Sequence, residues 1–227
     1  MRILLFGLAI FFSQNTFSSA LVKKNTASKK ITVFARMVYS GSALTDTLAA
    51  SATEEIDRMW NESPTEIALD GTKYSVEFVI DYQMPGQALK QAKSCALNFI
   101  QILDPLSAGD RSYYRGLGSQ YGVFYTSDEM GISTTAAHEF GHGLKLDHNP
   151  GDQRRADVPG IMFARGTLVR QPFQWDPAAL PGKPGGSLKP HNRKVRSEDI
   201  NAIPFQSVVF GPNGLGCIGD GQALKLK

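Results

Sequence analysis

Residues 136–149, Ala-Ala-His-Glu-Phe-Gly-His-Gly-Leu-Lys-Leu-Asp-His-Asn, hold three of the four histidines in a chain of 227 residues, with a glutamate among them. On an α-helix, side chains four residues apart stand on one face, one turn above the other. His138 and His142 would therefore aim their imidazoles at one point, as two nitrogen ligands of a tetrahedral Zn²⁺ do. Glu139 lies about 100° around the helix from His138. From there it can take a proton from a water at the metal without ligating it. A catalytic zinc keeps three protein ligands and one open position. His148 supplies the third if the helix stops near Gly143 and the chain bends back. A helix with surface histidines beside an unrelated glutamate is the plain alternative, and the place of the third histidine weighs against it.

The helix that must carry these residues is read over 133–144, entered through Ser133, Thr134 and Thr135, which are good capping residues. Upstream, 31–39 reads as a strand from its β-branched and aromatic content. Residues 45–61 have helical spacing, with Leu48, Ala52, Ile56 and Met59 on one face. Further strands are expected over 74–82, 97–103 and 121–126, with Gly116, Gly118 and Gly122 marking turns near the last. Downstream, the Pro- and Gly-rich stretch 171–193 reads as a surface excursion. A helix opens at Ser197, read as its N-cap. The layout is α+β, a twisted mixed sheet packed on helices, with the chemistry-bearing helix mid-chain and a loop-rich C-terminal part.

Arg2, a run of ten apolar residues and the small residues Ser18 and Ala20 form the pattern of a secretory signal peptide over 1–20, cut after Ala20. The run is too short to span a bilayer. No later segment reads as a membrane span, so a secreted or periplasmic protein is expected. The polar residues 21–30 read as a flexible leader, and 31–227 as one domain. Cys95 and Cys217 either pair or stay as two buried thiols; an oxidising compartment favours the bond. A formal net charge of +3 gives no reason to expect nucleic acid. A monomer acting on protein or peptide is expected.

His138-Glu139-x-x-His142-x-x-Lys145-x-x-His148 resembles the metzincin zinc-protease signature, His-Glu-x-x-His-x-x-Gly-x-x-His. The flanking Ala-Ala-His-Glu-Phe-Gly-His-x-Leu-x-Leu-Asp-His is similar to the matrixins, the matrix-metalloproteinase-like branch. Pro159-Gly-Ile-Met162 resembles their Met-turn, and Arg196-Ser-Glu-Asp-Ile-Asn-Ala-Ile203 the start of their C-terminal helix. The resemblance covers residues 134–204 in three ordered pieces; the N-terminal half agrees only in its order of elements. It implies a zincin-like fold and a secreted zinc endopeptidase. One Zn²⁺ would sit on His138, His142 and His148, with Glu139 as general base for a water held at zinc and Met162 as an apolar floor. The strand over 121–126 would be the sheet edge that receives an extended substrate.

Two departures and two further readings refine this. Lys145 stands where the motif has glycine, and at positive φ a lysine costs on the order of 1–2 kcal/mol. His191 is the one remaining histidine, so the second, structural zinc of matrixins is not expected, and His191 reads as a loop residue. Asp104, Asp110 and Asp128 are candidates for calcium without the alternating spacing of a calcium loop. Residues 171–193 leave open a different class of function, a weakly active or inactive zincin-fold binding protein that presents this loop to a partner. The intact Glu139 argues for the enzyme.

Overall fold

The computed structural model describes residues 18–87, 94–150, 152–154 and 158–219. Residues 1–17, most of the expected signal peptide, lie outside them. Strand β2 (Lys30–Ser40) alternates along its length: Ile31, Val33, Ala35, Met37 and Tyr39 are buried while their neighbours are not. That is the period of a strand with one face on a core. It is the middle of the sheet. β4 (Thr72–Gln83) pairs with it in parallel from Lys30↔Ser75 to Val38↔Gln83. On its other side, β5 (Leu97–Leu103) pairs in parallel with the second half of β2.

Beyond β5 lies β7 (Tyr121–Tyr125), also parallel. Short antiparallel strands β3 (Thr65–Leu69) and β6 (Tyr113–Tyr114) close the two sides, giving the order β3-β4-β2-β5-β7-β6. The expected edge at 121–126 is therefore corrected. Tyr113 and Tyr114 pair with Val123 and Gly122, so β6 covers part of β7 and is itself the edge.

A parallel pair needs a crossover, and helix α1 (Asp46–Asn61) lies in the one between β2 and β4. Thr45 caps it, its Oγ1 accepting the Leu48 N–H at 3.1 Å. Ala49, Ala52, Ile56, Met59 and Trp60 are buried along one face, and each large side chain among them contributes about 1.5–3 kcal/mol. The Trp60 ring lies between Phe78 of β4 and Phe140, with centroids 5.2 and 6.0 Å away. Phe140 belongs to helix α2 (Thr135–Gly143), the second helix on this core.

The flexible leader is also corrected. Its first residues belong to strand β1 (Ser18–Asn25), which turns at 26–29 and pairs antiparallel with β2 from Leu21↔Phe34 to Asn25↔Lys30. On its other side it pairs with the last strand, β8 (Leu215–Gly219). Ala20 and Val22 point into the core and are fully buried. A cut after Ala20 would take Ser18, Ser19 and Ala20 out of this strand. Cys217 in β8 is bonded to Cys95, just ahead of β5, with Cα atoms 6.1 Å apart.

The remaining chain is irregular. Phe163, Val169 and Leu188 form a second small apolar cluster with Phe173 packed on it, so the excursion 171–193 is pinned to the segment just before it. Helix α3 (Ser197–Asn201) is capped at Arg196, one residue before the expected Ser197, and Asp199 accepts the Arg196 N–H at 2.9 Å. Three α-helices on a mixed sheet make the architecture α+β among the described residues. No helix there is long and apolar enough to cross a membrane.

Candidate metal centre

His138 and His142 stand one turn apart on α2, and each ring is oriented by a backbone carbonyl. Nδ1 of His138 lies 2.6 Å from Ile161 O, and Nδ1 of His142 lies 2.8 Å from Leu146 O. Each Nδ1 can only donate there, which fixes the tautomer and leaves Nε2 as a lone pair. Nε2 of His148 sits 3.1 Å from that of His138 and 3.2 Å from that of His142. With His148 in the same tautomer, three lone pairs gathered so closely repel unless a cation lies among them. Ligands 2.0–2.1 Å from a tetrahedral ion stand about 3.3–3.4 Å apart, so the donor set fits a metal. Among the described residues, these three form the group of His, Cys, Asp or Glu that could hold one.

Burial lowers the pKa of all three histidines from 6.5, His138 furthest, where Arg193 adds to the effect. Neutral imidazole is the form that binds a metal.

His148 reaches its partners through a turn built on Lys145. The Lys145 N–H bonds to His142 O and the Leu146 N–H to Gly141 O, both at 3.0 Å. This nested pair is the Schellman closure of a helix, with a left-handed residue after the cap. That residue is Lys145, at φ +71°. The lysine therefore carries the whole strain of the bend, and Gly143 stays helical. Leu144 and Leu146 are buried on either side and hold the turn in place.

Glu139 is buried beside the triad, its Oε1 4.0 Å from Nε2 of His138. Burial pushes its pKa up to about 8, while the Arg193 charge and the Tyr114 backbone N–H pull it back. Met162 is buried against α2. A Cβ added to Gly141 would collide with the Met162 Sδ, so the helix needs glycine where the thioether packs. The Asn149 N–H bonds to Met162 O at 3.0 Å, joining the segment after His148 to the same turn.

The N-terminal end of α2 is held by residues that sequence reading passed over. Thr134, expected to cap, has φ +64° and makes no side-chain cap bond. Its Oγ1 donates to Pro190 O at 2.6 Å and accepts from Arg193 Nε at 3.1 Å. Arg193 is buried, with Nη1 3.2 Å from Phe163 O, and burial lowers its pKa to about 10. Glu55 of α1 accepts the Ala137 N–H at 3.0 Å and the Gly131 N–H at 2.8 Å. Trp60 Nε1 donates to Ala137 O at 3.1 Å. A signal for Glu55 existed: it stands on the apolar stripe of α1, between Ala52 and Ile56, where a charge is out of place unless paired. Arg193, in an irregular stretch, carried none.

The other candidates lie elsewhere. His191 Nε2 is 3.1 Å from the Glu129 carboxylate. The three aspartates use their oxygens separately. Asp104 accepts from Thr126 Oγ1 at 2.7 Å, and Asp110 from the backbone of Leu106 and Ser107 at 2.7 and 2.9 Å. Asp128 accepts the Ser112 N–H at 2.7 Å and pairs with Arg165.

No family model matches this chain, and no curated protein sequence does. A solved structure described as "Structure of a chaperone-substrate complex" aligns with 76% of this chain and 34% of its own, at 14% identity and a TM-score of 0.36. This chain thus spans about a third of that one, and an alignment at this score says nothing about fold or activity.

Proposed function

We propose that this chain is an exported, zinc-dependent endopeptidase of the metzincin type, nearest in motif to the matrixins, acting as a monomer on extended protein or peptide chains. The observation that carries the reading is the convergence of three Nε2 atoms, 3.1 and 3.2 Å apart, with a buried glutamate beside them. A zinc ion held by His138, His142 and His148 supplies Lewis acidity, polarising a carbonyl and making a nearby water acidic.

The protein's own groups do the rest. Glu139 takes the proton of the attacking water and returns it to the amide nitrogen as the C–N bond breaks. Burial raises its pKa in metal-free protein, and a cation on the three histidines would draw it back toward the ionised form that acts as base. The Tyr114 N–H fixes one side of its carboxylate, and Met162 packs the helix from beneath. Edge strand β6, beside α2, offers backbone groups to an extended substrate. The Cys95–Cys217 bond suits an oxidising compartment.

The test is Glu139→Ala, assayed on casein with and without a zinc chelator. Cleavage should vanish while elemental analysis still finds about one zinc per chain. Residual cleavage, or loss of metal together with activity, would remove Glu139 from this role. The second reading is a binding protein on the same scaffold, favoured by the small apolar cluster that anchors the excursion and by its exposed Trp175 and Leu180. Full zinc loading with no cleavage of a mixed peptide library decides for it.

A further inference from the structure

A helix begins with amides that none of its own carbonyls can reach. In α2 the Thr135 N–H goes to Ser133 Oγ at 3.3 Å, and the His138 N–H closes the first regular bond onto Thr134 O at 3.1 Å. The amides between them belong to Glu55, which takes Ala136 and Ala137, and Gly131 just ahead of the helix. Glu55 is 2% exposed. Five residues further along α1, Trp60 bonds the carbonyl of the same Ala137. Both backbone groups of the residue preceding His138 are thereby fixed by α1. Helix α1 itself is capped by a nearby threonine hydroxyl. For α2 the chain instead buries a carboxylate from another element, which favours the positive end of a helix yet must be desolvated to get there.

We propose that Glu55 is a positioning residue for the metal centre: by holding the first turn of α2 it sets where His138 and Glu139 meet the metal. This rests on the zinc hydrolase reading above. Without that acceptor the first turn is free to shift. Misplacement of reacting groups by about 1 Å costs on the order of a hundredfold in rate.

The test compares the full chain, loaded with Co²⁺ as a coloured substitute for zinc, with Glu55→Ala, Glu55→Gln and the control Thr53→Val. Thr53 is buried on the same helix but bonds to Tyr39 and Ala49, not to α2. Glu55→Ala should lower kcat about tenfold to a hundredfold with KM within about twofold. It should also change the Co²⁺ visible spectrum and speed amide hydrogen exchange at Ala136 and Ala137 in metal-free protein. Glu55→Gln, which keeps one acceptor oxygen, should fall between. Thr53→Val should lower the melting temperature and leave the other three readouts alone.

Wild-type kcat, spectrum and exchange in Glu55→Gln would overturn the proposal, as would a Thr53→Val variant that reproduces the whole pattern. If the alanine variant does not fold, the glutamine variant decides. A wild-type protein that takes up no Co²⁺ would sink the metal reading instead, and exchange without metal would still show whether Glu55 holds the turn.

Discussion

At its C-terminal end, α2 is closed by its own neighbours, Lys145 and Leu146 bonding back to His142 and Gly141, and the distant groups that join them, the Gly118 N–H on His142 O and the Ser19 hydroxyl on Gly143 O, are uncharged. At its N-terminal end the partners are distant and charged. Glu55 reaches Ala137 across 82 residues of sequence, and Arg193 reaches Thr134 across 59. The local closure tolerates a residue unsuited to it, since a lysine occupies the left-handed position and His148 still meets the other two imidazoles. The distant closure has no such slack. Each buried charge there depends on others, and removing one leaves the rest unpaired in a poorly solvated place. One end of the helix can form with the helix; the other exists only when the domain is complete.

Breaking the distant closure should therefore cost most. Arg193→Met removes the buried cation that interacts with Glu139, Glu55 and Asp128, and should lower stability by about 3–5 kcal/mol in urea unfolding. A loss below about 1 kcal/mol would show that charge does not hold this end.

Next in size is the response of metal-free protein to pH. Burial raises the Glu139 pKa from 4.5 to about 8, so its contribution is present below about 4.5 and lost as pH rises through about 8. The three histidines run the other way: their pKa values lie below 6.5, and their contribution is present above 6.5 and lost as pH falls. Between about pH 7.5 and about pH 9 the histidines are neutral in both states, so melting temperature should fall with rising pH and the fall should flatten in Glu139→Gln. Identical slopes would mean that Glu139 ionises as freely when folded as when unfolded.

The smallest effect belongs to the local closure. Lys145→Gly should raise stability by about 1 kcal/mol, less the entropy that glycine loses on folding, with zinc content unchanged. A destabilised variant would show that the lysine side chain itself braces the turn.

The same division explains what the sequence made readable. Ligand spacing along a helix and one turn is a short-range property, so His138, His142 and His148 stood out at once. The period of β2 and the stripe of α1 are equally local. β3 and β4 are joined at Asp70-Gly71, both at positive φ, a hairpin signal that was present and passed over. β1 was harder: only Ala20 and Val22 mark its inner face, and β8, the strand on its far side, lies near the other end of the described chain. β6 has two residues and no pattern to show. Glu55, Trp60 and Arg193 meet α2 only in three dimensions. No spacing rule links them.

Because β1 is flanked by β8, the first and last of the described strands are neighbours, and the sheet cannot be finished during synthesis until residues 215–219 have left the ribosome. The bond between Cys95 and Cys217 joins positions 122 residues apart and seals that late arrival. Ser19, on the same β1, bonds Gly143 at the end of α2. A nascent chain would thus carry its histidines long before the scaffold behind them is shut, and the centre should mature only once residues 215–219 are free to pair with β1.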